Sequence, residues 1–560
     1  MKTSTIIEYG AVDITAKQDS TLSVSDTQTF SKLSELKRAN LQERKYSTLE
    51  KNHFVLDGKS ENMGESITEV GWWSNSMSDS QGSFSTPLVM TITFSAVHTS
   101  IGLTLTFSKY AYCNNLKIQY YNSSNVLISE QTYYPDNYDY FCEGVAENYQ
   151  KIVITFYSTN IPYRYLKFYK ILYGQAVLFE GDNLVSANIL EQLNVLSDEL
   201  SVNTLDFTVY SDDDRFNILN PQGVYATLQE KQQLSVYENK NDELINMGTF
   251  YLQNWQSLNN NKMQFKGIDL IGLLDGGTFD GGMYTNVTVE DLLEEIFTSA
   301  GLPSESYSIA SNLRNLTLSG YIPMIGHREA LQQVLFVIGA VANCARSDII
   351  NIYKIEESQT PNEIGRNQII KGTEEIEQGD RITGVLIKSH NYRQTGTEIT
   401  LFDGQLPKGT HKLIFDEPVF NVTIDTGTLE EYGTNYAIVT VPATRFVAVY
   451  GYRYKDNMRD VLIESPNLTG DEIENTLKID SIYLINDSNV EDIGQRIIDY
   501  YDGRYTTKLK HILDDESTGD NVVVQEQFGT SLNGYVTELD IDLTGGYISE
   551  TKIDAKVVVS

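Results

Sequence analysis

The sequence predicts a mainly β protein with α+β parts, and three observations favour this fold class. First, residues 62–174 contain short strands of alternating polarity with no long helix between them, which is typical of a β-sandwich or jelly roll. Second, residues 175–282 and 376–560 are also rich in strands, and each region is predicted to form a β-barrel. Third, residues 283–375 combine helices with a strand, as in an α/β layer.

The first 61 residues are interpreted as strands and a short helix that lead into the rest of the chain. Residues 5–9 and 12–16 are predicted to be short strands. Residues 30–39 place apolar side chains on one helical stripe, and residues 48–58 predict a further strand that runs into a turn.

Within residues 62–174, the clearest strand signal lies between Ile101 and Phe107. Apolar residues alternate there with glycine and threonine, so one face of the strand is expected to be buried. Further strands at the spacing of hairpins are predicted for residues 116–121, 126–129, 152–156 and 165–172.

Five aromatic residues in turn-rich stretches of this block are candidate ligand-binding residues: Trp72, Trp73, Tyr133, Tyr134 and Tyr138. Exposed aromatic side chains in loops are typical contacts for sugars or protein partners. The alternative is that at least one of the two tryptophans caps the sandwich core, because large aromatic side chains are mostly buried.

The most apolar segment follows the first predicted barrel. Thr288 is predicted to cap a helix that ends at Gly301. A second helix is predicted to begin at Arg328, with apolar residues at helical spacing as far as Ala342, and residues 349–353 then form a β-branched strand. A helix this apolar must be covered by sheet, so we interpret it as a structural core and not as a site of chemistry.

The last region begins with a strand at residues 382–387 and contains a loop-rich excursion at residues 404–433. Its apolar spacing then predicts one helix and a closing set of strands. These elements are the helix at residues 490–500 and the strands at residues 522–524, 535–543 and 548–559.

The chain is strongly acidic, with 76 acidic and 42 basic residues and a formal net charge of −34. Nucleic-acid binding depends on Lys and Arg clusters that neutralise phosphates. The excess of acidic residues therefore argues against nucleic-acid binding, including sequence-specific binding. It also argues against electrostatic docking on anionic lipid. Neutral or cationic partners are favoured instead.

The beginning of the sequence has no apolar core of a secretion signal, and no apolar run approaches the roughly 20 residues of a membrane-spanning helix. We therefore expect synthesis in the cytoplasm and no membrane span. Three cysteines are too few for a disulfide framework. Cys113 and Cys142 are interpreted as free and buried, with a disulfide between them as the alternative.

No catalytic or metal-binding constellation is found in the sequence. The acidic runs at residues 212–214 and 514–516 lack the spacing of an EF-hand loop and are interpreted as solvated charge. Glu294 and Glu295 are adjacent on a helix and cannot both face one cleft, and His327 has no second histidine one helical turn away. We expect no enzyme activity, no cofactor and no metal.

Eight short stretches, spread over nearly the whole chain, resemble a known protein family. They are residues 9–13 (YGAVD), 48–58, 69–74 (EVGWWS), 162–167 (PYRYLK), 247–251 (MGTFY), 327–331 (HREAL), 534–536 (GYV) and 543–546 (LTGG). In this order they resemble the baseplate hub or tail-tip proteins of phages and phage-tail-like particles of Gram-positive bacteria.

The resemblance implies a hub fold in which two β-barrels of each subunit line a ring, so that a homotrimer matches a hexameric tail tube. The partners that it implies are the tail tube protein, other baseplate or tip proteins and the tape measure protein. The implied location is a virion or tail-like particle, whose tail is contractile or non-contractile. Residues 62–174 are similar to the discoidin-like or carbohydrate-binding sandwiches inserted in such hubs, which adds a host cell-wall glycan as a candidate partner. The sequence ends after the last hub strand, so we expect no appended peptidase or muramidase.

Three hypotheses of function follow. The first is a structural tail hub, whose acidic ring would repel DNA phosphates and let a genome slide through. The alternative is a host-surface carbohydrate-binding module of the tail tip. The third, a glycan hydrolase, is disfavoured by the missing catalytic motifs.

Overall fold

The computed structural model describes residues 3–37, 48, 50, 51, 53, 71–210, 231–240, 243–259, 261–356, 360–379, 381–466, 468, 473–503, 505–525 and 531–558. The acidic run at residues 212–214 and most of the strand predicted at residues 48–58 lie outside the described residues. The described part is mainly β with few helices, which confirms the predicted fold class. The boundaries of the five predicted domains stay predictions.

The elements from the N-terminus to residue 180 are mostly strands. In chain order they are β1 (Thr3–Val12), α1 (Ile14–Asp19), β2 (Thr21–Val24), the 3-10 helix Leu33–Lys37, β3 (Trp72–Met77), β4 (Ser83–Phe107), β5 (Cys113–Tyr121), β6 (Leu127–Tyr133), β7 (Asp139–Thr159), β8 (Tyr165–Leu172) and β9 (Gly174–Glu180).

The middle of the chain contains three of the five α-helices found among the described residues. Its elements are the 3-10 helix Gly181–Asn183, β10 (Leu184–Gln192), β11 (Thr204–Tyr210), β12 (Gln233–Lys240), β13 (Glu243–Asn259), β14 (Lys262–Ile268), the 3-10 helix Gly272–Gly276, β15 (Thr278–Phe279), β16 (Gly282–Thr288), α2 (Val289–Ser299), the 3-10 helix Ser304–Ser306, β17 (Tyr307–Ile309), α3 (Ser311–Arg314), β18 (Thr317–Ile322), β19 (Ile325–Gly326), α4 (His327–Ile338), β20 (Val341–Asn343), β21 (Ile350–Tyr353) and β22 (Asn362–Ile364).

The last part of the chain is again dominated by strands. Its elements are β23 (Glu375–Gln378), β24 (Gly384–Ser389), β25 (Tyr392–Leu406), β26 (Gly409–Ile414), β27 (Val419–Ile424), β28 (Thr428–Tyr432), β29 (Tyr436–Val441), β30 (Arg445–Asp456), β31 (Arg459–Glu464), β32 (Thr476–Ile479), α5 (Val490–Tyr501), β33 (Tyr505–Ile512), β34 (Asn521–Gln525), β35 (Ser531–Asp542) and β36 (Ile548–Val558).

The chain divides into two compact units. The first comprises Met1–Leu184, Val209–Met247 and Asn254–Gln264, and the second comprises Val185–Thr208, Gly248–Gln253 and Phe265–Ser560. Each unit combines segments that are far apart in sequence, so neither is a simple run of the chain.

The first unit contains the predicted sandwich. Its seven-stranded sheet has the order β3-β8-β4-β7-β5-β6, with β2 against β4. The strands β4 and β7 are unusually long, and register shifts along their ladder allow them to bend. Leu103, Leu105 and Phe107 are buried, as the alternation predicts. In the same unit, β1 pairs with β9 and β12.

The strand predicted at residues 12–16 is wrong, because Asp13 begins a helix there. Its Oδ1 accepts a hydrogen bond of 3.0 Å from the backbone N–H of Ala16, which satisfies a free donor at the start of α1. The short helix predicted at residues 30–39 is present as the 3-10 helix Leu33–Lys37. Ala16 of α1 and Leu36 of the 3-10 helix are buried in the sandwich core. The core therefore includes residues that precede the sandwich predicted at residues 62–174.

In the second unit, strands from the two predicted barrels join into one sheet of the order β23-β33-β36-β35-β10-β11. The contact between the two sets is the antiparallel ladder of β10 and β35, which runs from the pair Asn188–Asp542 to the pair Gln192–Glu538. The described strands form no closed barrel. The barrels expected from the sequence are therefore corrected to open sheet segments, because β10 and β35 pair the strands of one set with those of the other, and neither described set closes on itself.

Helix α4 lies in the largest hydrophobic core of the second unit, and ten of its twelve residues are buried. The helices α2 and α5 contribute their apolar faces to the same core. Two buried polar side chains on α4 are satisfied by backbone groups: Gln332 donates to Ser197 O, and Gln333 donates to Ser481 O and accepts from Tyr483 N–H. The prediction of a core helix at this position is confirmed.

The apolar spacing predicts α4 as far as Ala342, but the helix ends at Ile338. Gly339 has a left-handed conformation with φ of 66°, which ends the helix and which glycine adopts without strain. Arg496 of α5 donates hydrogen bonds to the carbonyl oxygens of Phe336 and Val337, and so occupies the acceptors that a longer helix would use.

Residues 404–433 were expected to be a loop-rich excursion, and this expectation is wrong. They belong to two three-stranded sheets, β25-β30-β27 and β26-β29-β28, which enclose a core of their own. Several of these strands have mostly exposed or half-buried side chains, so their apolar alternation is weak in the sequence. Buried residues such as Val439 and Val449, in the partner strands β29 and β30, complete the core.

Candidate functional site

The structure divides the five candidate ligand-binding residues into a buried and an exposed group. Trp72, Trp73 and Tyr133 are 0%, 2% and 6% exposed, whereas Tyr134 and Tyr138 are 69% and 41% exposed. A buried ring has no free face for a ligand, so the three buried residues are corrected to core positions. Only Tyr134 and Tyr138 remain available as a contact surface.

The two tryptophans are held in the core by specific contacts. Trp72 donates from Nε1 to Asp26 O at 2.7 Å and packs edge to face on Phe156, with ring centroids 5.4 Å apart. Trp73 packs edge to face on Phe30, and the ammonium of Lys167 lies 4.5 Å from the centre of its ring. These contacts agree with the alternative interpretation of the sequence, in which tryptophan caps the sandwich core.

Tyr134 and Tyr138 belong to the connection between β6 and β7. Two hydrogen bonds fix this connection to the sandwich: Tyr112 donates from its hydroxyl to Asp136 O, and Phe107 N–H donates to Tyr138 O, both at 2.7 Å. The exposed rings of Tyr134 and Tyr138 therefore lie on a loop that hydrogen bonds fix in place. Each ring offers a flat apolar surface with a hydroxyl at one end. Such groups can stack and form hydrogen bonds, but they include no acid–base pair.

Sequence reasoning missed a buried ion pair in the same unit. Lys167 Nζ lies 2.6 Å from Glu50 Oε2, and both side chains are almost inaccessible to water, with exposures of 3% and 0%. Glu50 also accepts hydrogen bonds from Tyr165 N–H at 3.0 Å and from the Thr48 hydroxyl at 2.6 Å. No local signal links residues more than one hundred positions apart in the sequence.

A second polar junction, also missed, joins β4 to the start of the chain. The ring nitrogens of His98 lie 3.0 Å from Asp13 Oδ2 and 2.9 Å from Asp19 Oδ2. Burial raises the pKa of Asp19, but hydrogen bonds from Ser95, Ala96 and His98 outweigh burial and hold this pKa well below its usual range. The junction attaches α1 to the sandwich.

The other titratable candidates have structural partners. In the acidic run at residues 514–516, Glu516 is buried and accepts a hydrogen bond from Asp514 N–H. Glu294 and Glu295 are both exposed, and His327 is buried with its Nε2 3.0 Å from the Ser299 hydroxyl. In the part of the chain that the structure describes, no group of three His, Cys, Asp or Glu side chains is placed to hold a metal ion.

The cysteines are free and buried, and the alternative disulfide between Cys113 and Cys142 is not formed. Burial raises the pKa of Cys113 to about 12 and also raises the pKa of Cys142 and Cys344. These thiols are therefore protonated and poor nucleophiles. Among the described helices, none is long and apolar enough to cross a membrane.

No protein-family model matches the sequence, and no curated protein matches it. Among solved structures, the chain is similar to the tail protein from Neisseria meningitidis MC58, with 11% identity and a TM-score of 0.42 over 67% of this chain and 93% of that chain. It is also similar to the prophage tail protein gp18 from Listeria monocytogenes EGD-e, with 12% identity and a TM-score of 0.40 over 68% of this chain and 92% of that chain.

A shorter similarity is to the family 32 CBM from C. perfringens NanJ, in a structure with galactose. It has 14% identity and a TM-score of 0.18 over 30% of this chain and 98% of that chain. All these identities and TM-scores are low, so the proposals below depend on the residues of this chain.

Proposed function

We propose that the chain is a structural tail hub protein, which forms a homotrimeric ring between the tail tube and the tip of a phage or tail-like particle and lines its channel. Its partners in this role are the tail tube protein, other baseplate or tip proteins and the tape measure protein. The proposed role is structural and involves no catalysis.

The observation that carries the proposal is the ladder of β10 and β35. It joins strands from the two regions in which the sequence predicts hub barrels, so that one chain offers two sheet segments side by side. Three copies would then supply six segments, the number that a hexameric tube requires. Closed rings are the usual outcome when unlike surfaces of identical subunits associate.

The charge of the chain supports a channel role. A net charge of −34 repels phosphate, so a ring of three such chains would let nucleic acid pass without binding it. The last strand of the sheet, β23, has four exposed residues that include Glu375 and Glu377. Charged side chains on an edge strand disfavour unspecific strand pairing, and therefore favour association through one specific partner.

The proposal predicts a trimer whose stability rises with salt. Each chain repels the others strongly at low ionic strength, and this repulsion is screened as the Debye length falls to about 8 Å near 0.15 M salt. We expect light scattering of the full chain to give the mass of three chains at high protein concentration and moderate salt, and images of assembled particles to show a ring of three. A monomer at every salt and protein concentration, with no ring of three in particles, would contradict the hub role.

A second candidate function is binding of a host cell-wall glycan by the sandwich. The exposed pair Tyr134 and Tyr138, on a loop fixed by two hydrogen bonds, is the observation that favours it. Aromatic faces stack on the apolar faces of sugar rings, while the phenol hydroxyls can bond to sugar hydroxyls.

For this second function, we expect the full chain to bind purified cell wall or an arrayed glycan, and Tyr134→Ala and Tyr138→Ala to weaken that binding by about twofold to tenfold each. Tyr432→Ala is a matched control, because it removes another exposed tyrosine from the second unit. Equal binding by all three variants would show that the tyrosine pair is not the glycan site.

A further inference from the structure

A cavity of about 290 Å³ lies wholly within the second unit. Its walls are the segment that follows β10, the C-terminal end of α5 and the strands β35 and β36. The charged residues in its lining are Asp198, Glu538, Lys552 and Asp554. Three carboxylates against one ammonium give the lining a formal charge of −2.

The carboxylates are oriented by neutral donors, which fix their positions without cancelling their charge. Asp554 accepts from the Tyr500 hydroxyl at 2.7 Å and from the Thr506 hydroxyl at 3.0 Å. Glu538 accepts from the side-chain amide of Gln192 at 2.7 Å. Carboxylates held in this way are ready to accept charge-assisted hydrogen bonds from a cation.

Two aromatic rings complete the wall. The rings of Tyr500 and Tyr501 have centroids 5.2 Å apart and are nearly perpendicular, with an interplanar angle of 81°. Burial, reinforced by the nearby carboxylates Asp554 and Asp198, raises the pKa of both phenols, so both stay neutral. A neutral phenol ring beside carboxylates attracts a cation through its face.

The cavity's own lysine does not balance this charge. Lys552 lies across the β35–β36 ladder from Glu538, and its other ladder neighbour is a second cation, Lys508. One ammonium against three carboxylates leaves the lining with a negative charge that a second positive group can neutralise. An anion such as phosphate is disfavoured by the sign of the charge, and the described residues offer no metal-binding group of three ligands.

We propose that this cavity binds the guanidinium of an arginine side chain that a partner protein presents. Guanidinium is planar, bonds to carboxylates through several N–H groups and stacks on aromatic rings, so it uses each kind of group in the lining. The inference goes beyond the tail hub proposal and does not depend on it, because it concerns the chemistry of the contact and not the identity of the particle.

The test is isothermal titration of the full chain with L-argininamide, and with L-citrullinamide as a probe of the same length without the guanidinium charge. We expect argininamide to bind with an affinity that falls as salt rises, and citrullinamide not to bind. Glu538→Gln and Asp198→Asn should each weaken argininamide binding by about tenfold, since each removes one charge-assisted contact. Both variants keep an oxygen that can accept the existing amide hydrogen bond.

The matched control is Asp540→Asn. Asp540 is on the same strand as Glu538, is hydrogen-bonded to Asn188 at 2.6 Å and is not part of the cavity lining. This variant removes the same charge from the protein and should leave argininamide binding unchanged. Absence of argininamide binding, equal binding of citrullinamide, or an equal loss in Asp540→Asn would each overturn the proposal. None of these results depends on whether the chain forms a trimer.

Discussion

Replacing Leu335 with aspartate is expected to unfold the second unit. Leu335 is fully buried in the core that α2, α4 and α5 share, and its neighbours in that core are apolar. A carboxylate there would lose its hydration without gaining a partner, at a cost of about 4 kcal/mol or more. Since the stability of a folded domain is on the order of 5–15 kcal/mol, one such change removes much of it.

We expect Leu335→Asp to be insoluble, or to have a strongly lowered thermal midpoint in circular dichroism. Two controls separate burial from other effects. Leu335→Met keeps the side-chain volume and should cost less than about 1.5 kcal/mol. Glu329→Asp introduces an aspartate at an exposed position of the same helix. Its carboxylate stays in water, so the thermal midpoint should change little. A soluble Leu335→Asp protein with an unchanged midpoint would mean that this face of α4 is not buried.

Removing the buried ammonium of Lys167 is expected to destabilise the first unit by about 3–5 kcal/mol. In Lys167→Ala, the Glu50 carboxylate, at 0% exposure, would lose the ammonium 2.6 Å away, although it would still accept hydrogen bonds from Tyr165 N–H and Thr48. The ring of Trp73 would also lose the ammonium 4.5 Å from its centre. Thermal unfolding followed by tryptophan fluorescence measures both effects.

A double variant without either buried charge identifies the cause of the loss. The variant that carries both Lys167→Met and Glu50→Gln should be more stable than Lys167→Ala, because it leaves no unpaired buried charge. Lys117→Ala is the matched control, since it breaks an ion pair with Glu130 that is partly exposed on the same sandwich and should lower the thermal midpoint much less than Lys167→Ala. If Lys167→Ala were as mild as Lys117→Ala, the buried pair would contribute little to stability.

Elements that depend on local pattern are predicted well from the sequence. The helix α2 has its cap at Thr288, whose hydroxyl accepts from Asp291 N–H at 3.1 Å, and it stops just before Gly301, which has φ of 76°. The helix α5 and the closing strands β35 and β36 also lie where apolar spacing places them. Capping and periodicity act within a few residues, so the sequence carries them directly.

Elements that depend on distant partners are predicted poorly. The apolar spacing continues past Ile338, but the left-handed Gly339 and the guanidinium of Arg496 end α4 there. In the candidate site, the sequence suggested five aromatic residues as ligand contacts but could not show that three of them are buried. Trp73 is buried because Phe30 and Lys167 pack on it, and both lie far from it in sequence.

The mainly β class, the positions of the long helices and the acidic charge follow from the amino-acid sequence, because periodicity, capping residues and composition are local or additive properties. The remaining features depend on the three-dimensional fold. It joined the strands of both predicted barrels through β10 and β35, paired Glu50 with Lys167, left Tyr134 and Tyr138 exposed, and assembled a cavity from four separate stretches of the chain. Each of these outcomes depends on which distant groups meet, and such contacts are set by long-range packing that no local pattern encodes.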